Sequence, residues 1–196
     1  PKKLYGLEGF LRACDDTRQS IMVDLHWDSN TDLGRFDIYV HIHFPKVAAV
    51  LRASGISRVE KSMLQGIGGH IIQLVLPPRD DDEWLMVHSH SVPHVLRTEI
   101  LRILSKHVLP FLETYSQLET IIPKWRRGLT SMPFASPDCK LLLPAAYHVA
   151  GHTQKAITYI LDMQAGITHG FELISTQDHA DFEKLLTYLR NQASDS

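Results

Sequence analysis

The chain has 196 residues, a formal net charge of −2, 44% hydrophobic residues and 21% charged residues. These globular values exclude a disordered chain, and no apolar run is long enough to span a membrane. A charge so near to neutral does not favour nucleic acid as a partner. The sequence predicts a single domain over residues 1–196, with a strand-rich half at 1–90 and a helical half at 91–196.

Two segments near the start alternate apolar and polar side chains as half-buried strands do. The first, "QSIMVDLHW", follows the short strand-like segment "GFLRA" and the turn-prone "CDDTR". The second is "FDIYVHIHF", and its neighbouring side chains are expected to point to opposite faces of a sheet. Its apolar face carries Phe36, Ile38, Val40, Ile42 and Phe44, and its polar face carries Asp37, Tyr39, His41 and His43.

The strand-rich half continues through one helix and further strands. Pro45 suits the first turn of a short helix, which Gly55 can close in a left-handed conformation. "GIGG" then reads as a connector into "HIIQLVLPP", which is apolar on both faces like a central strand, and "WLMVHS" adds another strand. We therefore expect a mainly antiparallel sheet of four to five strands.

The second half changes to the three- and four-residue spacing of amphipathic helices. Residues 91–113 predict the longest helix, with Ser91 as its N-cap. The segment "SQLETIIPKWRRG" predicts a second helix that begins with a capping box from Ser116 to Glu119 and bends at Pro123.

The remaining sequence predicts a helical hairpin and a final helix. The hairpin consists of "SPDCKLLLPAAYHVAG" and "HTQKAITYILDMQAG", which end at Gly151 and Gly166. The final helix, "QDHADFEKLLTYLRNQ", is expected to pack through Phe182, Leu185, Leu186 and Leu189. Strands followed by helices are typical of the α+β fold class.

Two His-x-His pairs suggest a metal site. If the two long strands form a hairpin, one face would carry five candidate ligands for zinc or for a two-metal hydrolase centre. These are Asp24, His26, Asp28, His41 and His43. The alternative is an ordinary polar face, and we favour it because functional residues usually lie at strand ends and in loops. His88, His90 and His94 lie where a strand gives way to a helix, and we expect a turn or a partner contact there.

No complete catalytic constellation is visible in the sequence. Cys14 and Cys139 lack the spacing of a metal or redox motif, which is typical of structural thiols in a reducing compartment, and we expect Cys139 to be buried at a helix start. "QGIGGH" lacks the spacing of a phosphate loop. The segment "PKKLYGLEGF" has no apolar core of a signal peptide. We expect a cytoplasmic protein without catalytic residues, metal or cofactor.

Two charged segments could contact partners. "KWRRG" places Trp125 among cations and could stack on nucleic acid, but cations also offset the dipole at a helix end, and we favour that role. "RDDDEW" places four carboxylates and a ring at a predicted turn. Such a run is most often a solvated hairpin turn, but it also suits docking onto a basic protein surface. Its candidate binding residues are Asp80, Asp81, Asp82, Glu83 and Trp84.

The order of a β-hairpin, the segment "HVLPFLETYSQLETII" and the helical pair "AAYHVAGHTQKAITYIL" resembles a bacterial α+β domain family of unknown function. The resemblance spans about residues 9–190, and the matching positions are structural: Leu109, Pro110, Leu112, Gly151 and Ala156. Small α+β proteins of this kind resemble immunity proteins that accompany bacterial toxins. Together with the lack of a complete catalytic constellation and with the acidic tip at residues 80–84, the resemblance predicts a non-catalytic protein that neutralises a toxin by binding it. From the charge and the lack of a long apolar run we expect no nucleic-acid or membrane partner. The metal-dependent hydrolase using Asp24, His26, His41 and His43 is the alternative.

Overall fold

The computed structural model describes residues 8–14, 17–28, 33–56, 67–70, 86–88, 93–127, 138–167, 169, 171 and 175–194. Over this part of the chain, the strands lie in the N-terminal part with one helix between the third and the fourth, and the other helices follow, which confirms the predicted α+β class. The strands are β1 (Glu8–Cys14), β2 (Thr17–Asp28), β3 (Leu33–His43), β4 (Ile67–His70) and β5 (Met86–His88). The helices are α1 (Pro45–Ala53), α2 (Pro93–Ile103), α3 (Leu109–Thr114), α4 (Leu118–Trp125), α5 (Cys139–Val149), α6 (Thr153–Gln164) and α7 (Thr176–Ser194), and a π-helical segment (Leu104–Val108) joins α2 to α3.

Three long antiparallel strands form the body of the sheet. β1 pairs with β2, and β2 pairs with β3 from Arg18 opposite His43 to Asp28 opposite Leu33. The hairpin that the sequence predicts is therefore present, and its register fixes which side chains share a face.

The sheet has three long strands in the described residues rather than the four to five predicted. β4 and β5 are short segments of four and three residues, and both pair with β3. The prediction that "GIGG" is a connector is wrong, because Gly68 and Gly69 pair with His41 and Val40. Of the predicted strand "HIIQLVLPP", His70 ends β4, and the residues from Ile71 onward lie outside the described part of the chain.

The apolar face of β3 lies in the core, as its alternation predicts. Ile38, Val40 and Ile42 have no exposed surface, and they share one apolar cluster with residues of α1, α5, α6 and α7. Burial of each such side chain contributes about 1.5–3 kcal/mol. The helices therefore cover one face of the sheet, and Tyr39, His41 and His43 of β3 point to the second face.

The helix that the sequence predicts as continuous over residues 91–113 is interrupted. In the π-helical segment, the N–H of Leu109 donates to the carbonyl of Leu104, five residues earlier. Pro110 explains this widening, because proline has no N–H to donate and its ring clashes with the carbonyl four residues before it. The predicted apolar stripe is nevertheless confirmed by the burial of Ile103, Val108 and Phe111. Ser91, the predicted N-cap, lies outside the described residues.

The predicted capping box at Ser116 is wrong. α4 begins at Leu118 with Gln117 as its N-cap and without a side-chain cap. The hydroxyl of Ser116 donates instead to the carbonyl of Glu113, at the end of the preceding helix. Ser116 therefore lies one residue too early to cap α4.

The helical hairpin of α5 and α6 is confirmed. Gly151 has φ +79° between the two helices, a left-handed conformation that strains residues with a Cβ atom. The N–H of His152 then donates to the carbonyl of Tyr147 over 2.8 Å, which closes the C-terminus of α5. Cys139 is buried at the start of α5, as expected.

A buried carboxylate ties the last helix to the hairpin. Asp178 in the first turn of α7 accepts hydrogen bonds from the N–H and the hydroxyl of Ser175, and the Ser175 hydroxyl accepts from the N–H of Asp178. Lys140 of α5 lies 2.6 Å from the same carboxylate. The sequence "STQD" is a capping box that the sequence reasoning missed. The predicted packing of α7 through Phe182, Leu185, Leu186 and Leu189 is confirmed.

Candidate binding surface

The second face of the sheet, which we call the histidine face, combines apolar, aromatic and basic side chains. The register places Ser20 directly opposite both Leu11 and His41, so these three residues form a row across β1, β2 and β3. Directly opposed residues of antiparallel strands share a face. Neighbouring rows complete the histidine face, which comprises Leu11, Arg18, Ser20, Met22, Tyr39, His41 and His43.

The histidine face is accessible from the β1 side. The side chain of Leu11 is 73% exposed, and Arg18 is also exposed. Toward β3 the surface is more enclosed, since Tyr39, His41 and His43 are half-buried. An exposed leucine beside half-buried aromatic rings leaves apolar area that a partner can remove from water.

The two histidines of β3 lie close together. Their ring centroids are 6.4 Å apart with the ring planes inclined by 43°. Burial lowers the pKa of His41 below its ordinary value, and the neighbouring His43 lowers it further. A neutral imidazole at neutral pH can both donate and accept a hydrogen bond, which suits recognition of polar groups on a partner.

The register separates the candidate metal ligands. Asp24 and His26 lie an even number of residues from Ser20, the residue opposite His41, as the prediction requires. However, Asp24 lies opposite Asp37, and His26 lies opposite Arg35. Asp24 and His26 are four and six residues after Ser20 on β2. At the usual rise per residue, their backbones are therefore about 13 and 20 Å along the strand from the position opposite His41.

Zinc ligands lie about 2 Å from a shared ion. Backbone positions this far apart do not bring the four residues together. The structure describes the backbones of Asp24 and His26 but not their side chains. Among the side chains that the structure describes, no three histidine, cysteine, aspartate or glutamate residues are grouped for a metal ion.

Other sequence candidates fall largely outside the described residues. Residues 80–84, the predicted docking tip, lie outside them, and so does His90. His88 ends β5 with its backbone opposite Leu33, and His94 lies in the first turn of α2. Leu33 lies eight residues before His41 on β3, so the backbone of His88 is about 26 Å along the strand from His41 at the usual rise.

Trp125 is a structural residue. Its side chain is only 1% exposed, and its ring meets that of Phe44 edge-on with centroids 6.1 Å apart. A ring enclosed in this way cannot stack on a nucleic-acid base. Lys124 and Arg126 flank it at the C-terminal end of α4, where cations offset the helix dipole, as the sequence interpretation favoured.

Leu11 and Tyr39 are surface residues that the sequence reasoning did not select. Alternation alone could have identified Leu11, because β1 pairs residue by residue with β2 and its odd positions share a face with Ser20 and Met22.

Comparisons of the chain with protein-family models, with curated proteins and with solved structures gave no match. None of the described helices combines the length and the apolar character needed to cross a membrane.

Proposed function

We propose that the chain is a non-catalytic cytoplasmic binding protein, most specifically an immunity-type protein that neutralises a bacterial toxin by direct contact. The observation that carries this proposal is the histidine face, where Leu11 is 73% exposed next to half-buried Met22 and Tyr39. Tyrosine, methionine and arginine are enriched in protein interfaces relative to other surfaces.

The edge of the sheet adds a second mode of contact. β1 pairs only with β2 among the described strands, so the other backbone edge of β1 is open over this part of the chain. An open edge offers N–H and C=O groups to an incoming strand. A partner that adds a strand beside β1 would also cover Leu11.

The expected partner carries a basic surface. Residues 80–83 contribute four consecutive carboxylates and are followed by Trp84, and this segment precedes β5 in the strand-rich half. Carboxylates accelerate encounter with a basic surface, while buried aromatic rings supply much of the affinity. A toxin whose nucleic-acid-binding or substrate-binding surface is basic fits this description.

The proposal is tested by co-expression with the products of the adjacent genes. We expect one of them to inhibit growth when expressed alone, to be tolerated with this chain, and to co-elute with it in a fixed stoichiometry. If no neighbouring product is toxic or co-elutes with the chain, the proposed function is wrong.

A further inference from the structure

The helices form a groove that includes no residue of the histidine face. This groove, of about 910 Å³, runs between the C-terminal end of α4 and the first turns of α6. This volume is within the range of sites that hold small molecules. The turn of the helical hairpin lines it with Ala150 and His152, and α4 lines it with Ile122 and Pro123.

Cationic groups predominate around this groove. Arg126 and Arg127 follow the end of α4, and Lys155 lies in the first turn of α6. Two carboxylates also line the groove, but Asp162 lies 3.2 Å from Nε2 of His169, so Glu119 is the remaining acidic side chain. The balance of charge favours an anion.

The N-terminus of α6 opens into the same groove. This helix has twelve residues, and its N-cap, His152, makes no side-chain capping hydrogen bond. The first N–H groups of a helix have no partner within the helix and carry a partial positive charge. Such an N-terminus, next to Lys155, is suited to a phosphate group.

A buried hydroxyl provides independent evidence for a ligand. Tyr159 of α6 lines the groove and is only 6% exposed, yet its hydroxyl has no hydrogen-bond partner among the described residues. Burial is the main reason that the pKa of Tyr159 is raised, so the phenol keeps its proton as a donor. An unsatisfied buried hydroxyl costs stability, which a ligand oxygen would offset.

The ring next to Tyr159 is held in an unusual conformation. His169 has φ +49°, and its ring stacks on that of Tyr159 with centroids 5.0 Å apart and planes inclined by 24°. A non-glycine residue in the left-handed region is strained, and such strain is common at ligand sites. The stack and the Asp162 contact hold this end of the groove in place.

We propose that this groove binds a small phosphate monoester. The phosphate lies at the N-terminus of α6 between Arg126 and Lys155, and the phenol of Tyr159 donates to an oxygen of the same ligand. This site is separate from the histidine face and does not depend on toxin binding.

Isothermal titration of the purified full chain with ribose 5-phosphate, inorganic phosphate and ribose tests the proposal. We expect ribose 5-phosphate to bind, inorganic phosphate to compete with it more weakly, and ribose alone not to bind. Arg126→Ala and Tyr159→Phe should each weaken ribose 5-phosphate about tenfold, the usual effect of one hydrogen bond to a charged group.

Tyr188→Phe is the matched control, because Tyr188 is a half-buried tyrosine of α7 that does not line the groove. It should leave the affinity unchanged. Without ligand, Tyr159→Phe should melt at the same temperature as wild type or higher, since it removes an unsatisfied hydroxyl. No binding of either phosphate at about 10 mM, a limit of weak affinity, overturns the proposal. Binding that Arg126→Ala and Tyr159→Phe leave intact, or a clear drop in the melting temperature of Tyr159→Phe, overturns it equally.

Discussion

Gln19 joins the sheet to α3 through the backbone of Leu112: its side-chain Nε2 donates to the Leu112 carbonyl over 3.1 Å. On its other side, Oε1 of Gln19 accepts hydrogen bonds from Nε and Nη2 of Arg12 at 3.0 and 2.6 Å. Because Arg12 and Gln19 point toward the helices, alternation turns Leu11 and Ser20 outward. The hydrogen bonds of the buried Gln19 amide thus help to fix which side chains of β1 and β2 lie on the histidine face.

Replacement of Gln19 by leucine should destabilise the fold. The Gln19 side chain is only 2% exposed, so Gln19→Leu leaves the Leu112 carbonyl and the Arg12 guanidinium without this partner. We expect a loss of about 2 kcal/mol in the free energy of unfolding, measured by urea denaturation. Arg18→Met, on the exposed neighbour, should change it by less than about 0.5 kcal/mol. Equal stability of Gln19→Leu and wild type would show that the amide does not join the sheet to the helix.

Lys140 and Asp178 should be energetically coupled. The two side chains are 12% and 3% exposed, so their contact is poorly screened by water. Asp178→Ala also removes the cap at Ser175, and we expect it to cost about 3 kcal/mol, more than Lys140→Met. A double-mutant cycle by urea denaturation should give a coupling of about 1 kcal/mol or more. Additive effects of the two substitutions would contradict this coupling.

The sheet could be predicted because its signal is local. Alternation placed Ile38, Val40 and Ile42 in the core and His41 on the second face, and both assignments are confirmed. The pairing register could not be predicted, because composition does not say which residue of β2 lies opposite His41. In the observed register Ser20 lies opposite His41, and this separates the candidate metal ligands along the strands.

Helix ends were harder to predict than helices. Ser116 and Ser175 both stand three residues before an acidic residue, but only Ser175 caps a helix. Whether such a serine caps a helix depends on the backbone conformation just before the helix, and tertiary packing sets that conformation. The groove beside Tyr159 was not predicted either, because its residues come from α4, α6 and the hairpin turn and share no sequence motif.

Acid should destabilise the protein partly through His41. Its pKa is lowered in the fold by burial and by His43, so the unfolded chain binds a proton more readily. The neutral form therefore contributes stability that is complete above the unfolded pKa of about 6.5 and is lost as pH falls through the lower folded value. Burial also lowers the pKa of His107 and His148, which act in the same direction.

Urea denaturation at about pH 7.5 and about pH 5.5, on either side of the ordinary histidine pKa, tests this dependence. The free energy of unfolding should fall at the lower pH, and His41→Gln should reduce the fall. His179→Gln, at an exposed histidine of α7, is the control and should retain the full dependence. An undiminished fall in His41→Gln would assign the effect to other groups.

The histidine face as a partner surface is tested most directly by one pair of charge substitutions. Leu11 on β1 and Leu161 on α6 are both exposed leucines, at 73% and 43%, but only Leu11 lies on the histidine face. The affinity of Leu11→Asp and Leu161→Asp for the toxic product of the adjacent gene should be measured by isothermal titration. We predict that Leu11→Asp weakens binding at least about tenfold while Leu161→Asp leaves it nearly unchanged. Wild-type affinity in Leu11→Asp, or an equal loss in both variants, would contradict the assignment of the histidine face.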